Sequence, residues 1–143
     1  MDKAEQTVDL NHFVGKQFTL TAVDSSKLYL VRYSADSGGL AFTLDGVTYA
    51  AVENPDDGYR SSMDRIAILP SGIEMATPIP PHVVVGRKQT HCEYGAAECV
   101  ELIDVETGKT VIRFGTDNSD DYYPSFVGEF DPTALAANQS VKP

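Results

Sequence analysis

The segment LAFTLDGVTYAAV, residues 40–52, constrains the fold more strongly than any other part of the chain. Its central Asp-Gly lies between alternating apolar residues and predicts a β-hairpin, because a type I′ turn requires positive φ at both central positions. The resulting register separates apolar from small polar residues, as a half-buried hairpin requires. The cross-strand pairs are Leu44–Val47, Phe42–Tyr49 and Leu40–Ala51 on one face and Thr43–Thr48 on the other.

A second hairpin is predicted in VELIDVETGKTVIRF, residues 100–114. A two-residue turn at Thr107-Gly108 would pair Leu102 with Arg113 and would mix polar and apolar residues on both faces. A three-residue turn over 106–108, with Gly108 in the left-handed conformation, avoids this conflict. It places Val100, Leu102, Ile112 and Phe114 on one face and sets Glu101 opposite Arg113 on the other.

The remaining segments are short and are separated by turn residues and prolines, which favours strands over long helices. Strands are predicted at residues 17–23, 27–33 and 82–88, with a short edge strand at 127–130. Residues 61–66, which follow Gly58, are expected to form a helical turn. Together these elements predict a mainly β fold, either all-β or β-rich α+β.

The predicted architecture is an antiparallel, hairpin-built sheet, arranged as a sandwich or a partly open barrel with at most one short helix. A chain of 143 residues is expected to form a single domain over 1–143. Its ordered core is expected to cover about residues 11–132, between loose N-terminal and C-terminal tails.

The charge balance narrows the classes of partner. The chain carries 11 Lys and Arg against 21 Asp and Glu, a formal net charge of −10. Direct nucleic-acid binding is not expected, since it depends on neutralising phosphates with basic side chains. Docking on an anionic membrane is not expected for the same reason. A basic protein partner is expected instead, because complementary charge favours encounter.

The chain shows no apolar run of the signal-peptide or membrane-spanning type, so a cytoplasmic location is expected. Two cysteines, Cys92 and Cys99, are too few for a disulfide scaffold and are expected to be thiols in a reducing compartment. The simplest arrangement places them opposite each other on paired strands joined by residues 93–98.

The candidate binding residues of the chain lie in two similar acidic segments, NPDDGYR (54–60) and DNSDDYYP (117–124). Each combines an Asp-Asp pair with Tyr and a turn-forming Pro, and Tyr is enriched at protein interfaces. We expect the two segments to border one acidic surface, with Tyr59 and Tyr122 at its margin. The predicted partner-binding residues are Asp56, Asp57, Tyr59, Arg60, Asp117, Asp120, Asp121, Tyr122 and Tyr123. In the alternative arrangement, Tyr123 and Phe126 pack inward while the Asp residues stabilise turns.

Metal binding is a competing interpretation of these segments. Asp117, Ser119 and Asp121 alternate as in an EF-hand loop, but Tyr122 replaces the turn Gly and Gly128 replaces the bidentate Glu. A divalent-metal or small-ligand site built from Asp56, Asp57, Asp117, Asp120 and Asp121 remains the alternative function. The zinc-type ligands His82, His91, Cys92 and Cys99 lack the usual close pairs. No metal and no cofactor are therefore predicted.

Catalytic motifs are absent from the sequence, which has no GxSxG elbow, P-loop or GxGxxG. The predicted function is a non-catalytic acidic binding protein that docks on a basic protein. One version is an inhibitor or nucleic-acid mimic of the phage or mobile-element type, an expectation that rests on size and charge alone. A homo-oligomeric assembly component is a third class, which light scattering would distinguish.

Overall fold

A single antiparallel sheet of nine strands forms the fold. The computed structural model describes residues 6–24, 38–55, 60–69, 77–89, 98–117 and 124–135. The strands are β1 (Gln6–Val8), β2 (Gln17–Asp24), β3 (Gly39–Leu44), β4 (Val47–Pro55), β5 (Ser61–Ile68), β6 (Thr77–Gln89), β7 (Glu98–Asp104), β8 (Thr110–Asp117) and β9 (Ser125–Phe130). The helical elements within the described residues are two 3₁₀ turns, Leu10–His12 and Pro132–Ala134. The mainly β prediction is confirmed.

The strands follow the order β1-β5-β4-β3-β2-β6-β7-β8-β9, and every neighbouring pair that is described is antiparallel. The sheet curls but does not close into a continuous ladder. The curl brings β5 against the far side of the sheet, where the Met63 amide donates to Thr116 Oγ1 at 2.9 Å. The described residues include no helix with the length and apolar character needed to span a membrane.

The β3–β4 hairpin has the predicted register. Leu44 pairs with Val47, and Phe42 pairs with Tyr49. The turn residues Asp45 and Gly46 have φ of 52° and 83°, as a type I′ turn requires. The two hydroxyls of Thr43 and Thr48 lie 2.7 Å apart on the opposite face. The local sequence pattern therefore determined both the turn and the pairing.

The β7–β8 hairpin has the predicted pairing but a longer turn. Val100 pairs with Phe114 and Leu102 with Ile112, and Glu101 pairs with Arg113. The amide of Gly108, whose φ is 72°, donates to the Asp104 carbonyl at 2.8 Å. The turn is thus longer than the predicted three residues, and a β-bulge near Leu102 restores the register further along the strands.

The predicted helical turn at residues 61–66 is wrong, because Ser61–Ile68 forms strand β5. A β-bulge explains the misleading spacing. Val52 pairs with Arg65 and Glu53 with Met63, which leaves Asp64 as an extra residue in β5. Met63 and Ile66 therefore both contribute to the core although they are three residues apart, a spacing typical of a helix.

The other predicted strands agree with the structure where it describes them. Residues 17–23 lie in β2, 82–88 lie in β6 and 127–130 lie in β9. The predicted strand at 27–33 lies outside the described residues. Gln6–Val8, which precedes the expected core, pairs with β5.

The core lies on the inner face of the curled sheet and is centred on Phe13, which follows the first 3₁₀ turn. The Phe13 ring is fully buried and lies 5.0 to 6.0 Å, centroid to centroid, from four other aromatic rings. These rings belong to Phe18, Phe42, Tyr49 and Phe114. A smaller apolar cluster packs on the other face of β3, β4 and β5, formed by Ala41, Ala50, Val52, Ala67 and Leu69.

Candidate functional site

The ends of two hairpins meet where the sheet curls. Pro55 pairs with Ser61 at the end of the β4–β5 hairpin, and Asp117 pairs with Ser125 at the end of the β8–β9 hairpin. The Ser61 amide donates to the Pro124 carbonyl at 3.0 Å. The Phe126 amide in turn donates to Ser61 Oγ at 2.9 Å. We call this hydrogen-bonded contact of Ser61 with Pro124 and Phe126 the hairpin junction.

Two glycines make room for Phe126 at the hairpin junction. A Cβ atom on Gly128 would lie 2.8 Å from Cε2 of the Phe126 ring, and one on Gly38 would lie 3.3 Å from the same atom. The ring is partly buried and packs against the main core. Phe126 therefore packs inward, as in the alternative arrangement, whereas Tyr123 lies outside the described residues.

Of the predicted partner-binding residues, Arg60 and Asp117 are described. Arg60 is exposed. It lines a cleft of about 310 Å³ together with Asn54, Ser61, Ser62 and Pro124. The cleft therefore includes residues of both hairpins at the junction. The predicted residues Asp56, Asp57, Tyr59, Asp120, Asp121, Tyr122 and Tyr123 lie outside the described residues.

Asp117 belongs to a charged group that spans β8 and β9. Arg113 Nη2 lies 3.7 Å from Asp117 Oδ2, and Arg113 Nη1 lies 3.6 Å from Glu129 Oε1. The Glu129 side chain is 65% exposed, so this pair is well solvated and contributes little to stability. Sequence reasoning missed Glu129 as a site residue, although the acidic stretch from Gly115 to Asp131 includes it.

A further carboxylate, which the sequence did not single out, lies close to Phe126. Glu53 Oε1 accepts a short hydrogen bond from the Gly38 amide, and the Glu53 amide donates to the Gly38 carbonyl at 3.1 Å. The reciprocal bonds hold the end of β4 against the start of β3. Glu53 is thus structurally engaged rather than available as a ligand.

The described residues contain no group of three or more His, Cys, Asp or Glu side chains that could hold a metal ion. His82 and Cys99 are the two described members of the zinc-type set. His82 Nδ1 lies 3.7 Å from Asp104 Oδ2, whereas Cys99 pairs with Gln89 at the other end of β6. His82 and Cys99 therefore do not converge.

Cys99 is a fully buried free thiol. Its Sγ donates to the Thr116 carbonyl at 3.5 Å. Burial raises the pKa of the Cys99 thiol to about 11, although nearby Arg113 acts in the opposite direction. The thiolate is the reactive form of cysteine, so this side chain is poorly suited to nucleophilic catalysis at neutral pH. Its expected neighbour Cys92 lies outside the described residues.

This arrangement predicts slow modification of Cys99. In a Cys92→Ser variant at pH 8, iodoacetamide is expected to alkylate the folded protein roughly a hundredfold more slowly than the urea-unfolded protein, because burial limits both access and ionisation. Mass spectrometry over time measures both rates. Equal rates in the two states would show that Cys99 is accessible and contradict its assigned burial.

In comparisons with known proteins, no protein-family model matches the chain, and no match was found among the curated proteins or the solved structures.

Proposed function

We propose that this chain is a non-catalytic acidic binding protein that docks on a basic protein partner through the region around the hairpin junction. The observation that carries the proposal is the 3.0 Å hydrogen bond from the Ser61 amide to the Pro124 carbonyl. It joins the stems of the two hairpins that carry the Asp-Asp-Tyr segments. Asp56 follows Pro55 directly and Tyr123 precedes Pro124 directly, so both acidic segments are tethered to this junction.

Charge supports a basic partner. The stretch from Gly115 to Asp131 contains five acidic residues and no basic residue, in a chain of net charge −10. A surface of one sign increases the rate of encounter with an oppositely charged protein, and aromatic side chains within it anchor the complex. We place this activity in the cytoplasm. An inhibitor that occupies the nucleic-acid site of its target, of the phage or mobile-element type, is the version we favour by analogy.

The scaffold around the junction supports a preformed surface. Phe126 packs against the core and its amide is bonded to Ser61, while the Met63 amide is bonded to Thr116. Contacts of this type hold the hairpin stems before a partner arrives, which reduces the entropic cost of binding. The cleft that Arg60 lines lies beside the same contacts and offers a recess for a partner side chain.

Charge reversal tests the proposal. The combined change Asp120→Lys and Asp121→Lys is expected to weaken binding of the peptide acetyl-Lys-Thr-Lys-Val-Lys-Thr-Lys-Val-amide by roughly tenfold at low salt, because attraction becomes repulsion. Fluorescence anisotropy measures the binding. The melting temperature is expected to change little, since we propose that both carboxylates face solvent and such substitutions rarely alter stability strongly.

A matched variant separates a local site from general charge. Asp9 and Glu106 are exposed and lie outside the hairpin junction. Changing both to Lys alters the net charge by the same amount as the Asp120 and Asp121 reversal. The control is expected to retain most of the peptide binding. If both variants lose affinity equally, net charge alone explains binding and the proposed surface is wrong.

The same convergence of stems supports the alternative of a divalent cation held by Asp56, Asp57, Asp117, Asp120 and Asp121. Oxygen ligands from two loops are the set that Ca²⁺ or Mg²⁺ prefers. Titration calorimetry with Ca²⁺, Mg²⁺ and Mn²⁺ tests it. Heat of binding that disappears in the Asp120→Lys, Asp121→Lys variant would favour the cation, and absence of heat would remove this alternative.

A further inference from the structure

Strand β9 (Ser125–Phe130) is a terminal strand of the sheet. It pairs with β8 on one side over its whole length, from Asp117–Ser125 to Ile112–Phe130. On its other side β9 forms no ladder with a described strand, although Ser61 of β5 is hydrogen-bonded there to Pro124 and Phe126 at the hairpin junction. The opposite terminal strand, β1, has only three residues. Long edge strands offer unpaired backbone groups to other chains, so β9 is the edge of interest.

The register shows which backbone groups of β9 face outward. The Asp131 amide donates to the Val111 carbonyl at 2.8 Å. Because hydrogen-bonded positions alternate along an antiparallel pair, Val127 and Glu129 also direct their amides toward β8. Gly128 and Phe130 therefore direct theirs away. Phe126 has the same orientation as these two, and its amide reaches Ser61 Oγ rather than β8.

Two of the residues along this edge are acidic. Both have contacts within the chain, because Glu129 Oε1 lies 3.6 Å from Arg113 Nη1 and Asp131 Oδ1 accepts a hydrogen bond from the Thr133 amide at 3.0 Å. Glu129 and Asp131 are exposed. The sequence from Gly115 to Asp131 carries five acidic residues and no Lys or Arg, although Arg113 of β8 lies beside Glu129, so the charge along β9 is negative in balance. A second copy of this protein would bring the same acidic edge against itself, and like charges opposite each other destabilise strand pairing. A basic segment has the complementary charge.

We propose that a basic, extended segment of the partner adds to β9 as a further strand. This inference rests on the proposed function and specifies how the partner is held. Main-chain hydrogen bonds with Gly128 and Phe130 would provide the attachment, while Lys or Arg side chains would pair with Glu129 and Asp131. Strand addition of this type obtains affinity from the backbone and specificity from the side chains.

The test compares neighbouring amides by hydrogen exchange in NMR, with the acetyl-Lys-Thr-Lys-Val-Lys-Thr-Lys-Val-amide peptide as the probe. Saturating peptide is expected to slow exchange of the Gly128 and Phe130 amides by about tenfold or more. Exchange of the Val127 and Glu129 amides, already bonded to β8, is expected to change much less. Equal slowing of all four amides would indicate general stabilisation and would overturn the proposal.

A peptide of the same sequence and charge, but N-methylated at alternate residues, provides the matched control. It retains the lysines and loses half of its backbone donors, so it is expected to bind much more weakly. Equal binding of the two peptides overturns strand addition. If peptide binding is nevertheless weakened by the Asp120→Lys, Asp121→Lys change, the proposed acidic docking function is retained and strand addition alone is rejected.

Two further outcomes are decisive. If neither peptide binds at low salt, both the docking function and strand addition are wrong. If Gly128 and Phe130 are protected without peptide and light scattering shows a dimer, a second copy occupies β9 and the basic segment is excluded.

Discussion

Replacing Phe13 with alanine is expected to lower the free energy of unfolding by about 3–5 kcal/mol, the usual cost of truncating a fully buried phenylalanine. Phe13 has no exposed surface. Its ring meets Phe114 edge-on with a centroid distance of 5.3 Å, and meets Tyr49 at 5.0 Å. The change would leave a cavity at the point where several strands converge. Urea unfolding, followed by circular dichroism, measures the loss.

A Phe13→Leu variant tests whether the filled volume or the aromatic ring matters. Leucine occupies most of the space but loses the edge-to-face contacts, which are worth about 0.5–1.5 kcal/mol per pair. We expect it to be clearly more stable than the alanine variant. Equal destabilisation by the two substitutions would contradict the view that Phe13 acts mainly by filling the core.

Substitution of Gly86 with alanine is expected to be similarly damaging. A Cβ atom at this position would lie 1.9 Å from the Phe13 carbonyl oxygen, and the backbone must shift to avoid the overlap. Gly86 also accepts a hydrogen bond from the Gly15 amide and donates one to the Lys16 carbonyl, each at 2.9 Å. Overpacking together with the weakening of these bonds is expected to cost about 3 kcal/mol or more.

Gly108→Ala is the appropriate comparison for Gly86→Ala. Gly108 has a φ of 72°, but a Cβ atom added there would meet nothing within 4 Å, so its substitution incurs backbone strain without collision. That strain is expected to cost about 1–2 kcal/mol. Urea unfolding of both variants under the same conditions gives the difference. A Gly86→Ala loss no larger than that of Gly108→Ala would show that β6 moves away from Phe13 at little cost.

The two hairpins were predictable because their signals are local. Asp45 and Gly46 define one turn, and Gly108 defines the other. The β5 strand was not predictable, because the bulge at Asp64 changes a two-residue spacing into a three-residue one. The pairing of β2 with β6 could not be predicted from the sequence either. Its paired residues, such as Phe18 and Val84, belong to segments that no single turn connects.

The candidate site also combines features that the local sequence predicts with features that depend on long-range contacts. The local sequence alone identified the acidic segments and the absence of Lys and Arg from Gly115 to Asp131. The contact between their stems could not be predicted, because it depends on a hydrogen bond between Phe126 and Ser61, which are 65 residues apart. The role of Gly128 in seating the Phe126 ring was equally invisible, since a glycine in a strand has several explanations.

The hairpin junction also has a consequence for the order in which the chain folds. It joins Ser61 to Phe126, and the neighbouring bond joins Met63 to Thr116, across 65 and 53 residues of sequence. Contacts between distant segments carry a large loop-closure cost and form slowly. The local hairpins would therefore form before the junction closes. During synthesis the junction cannot form until β9 has left the ribosome, so the docking surface that we propose would be completed only after this strand, the last of those described, has emerged.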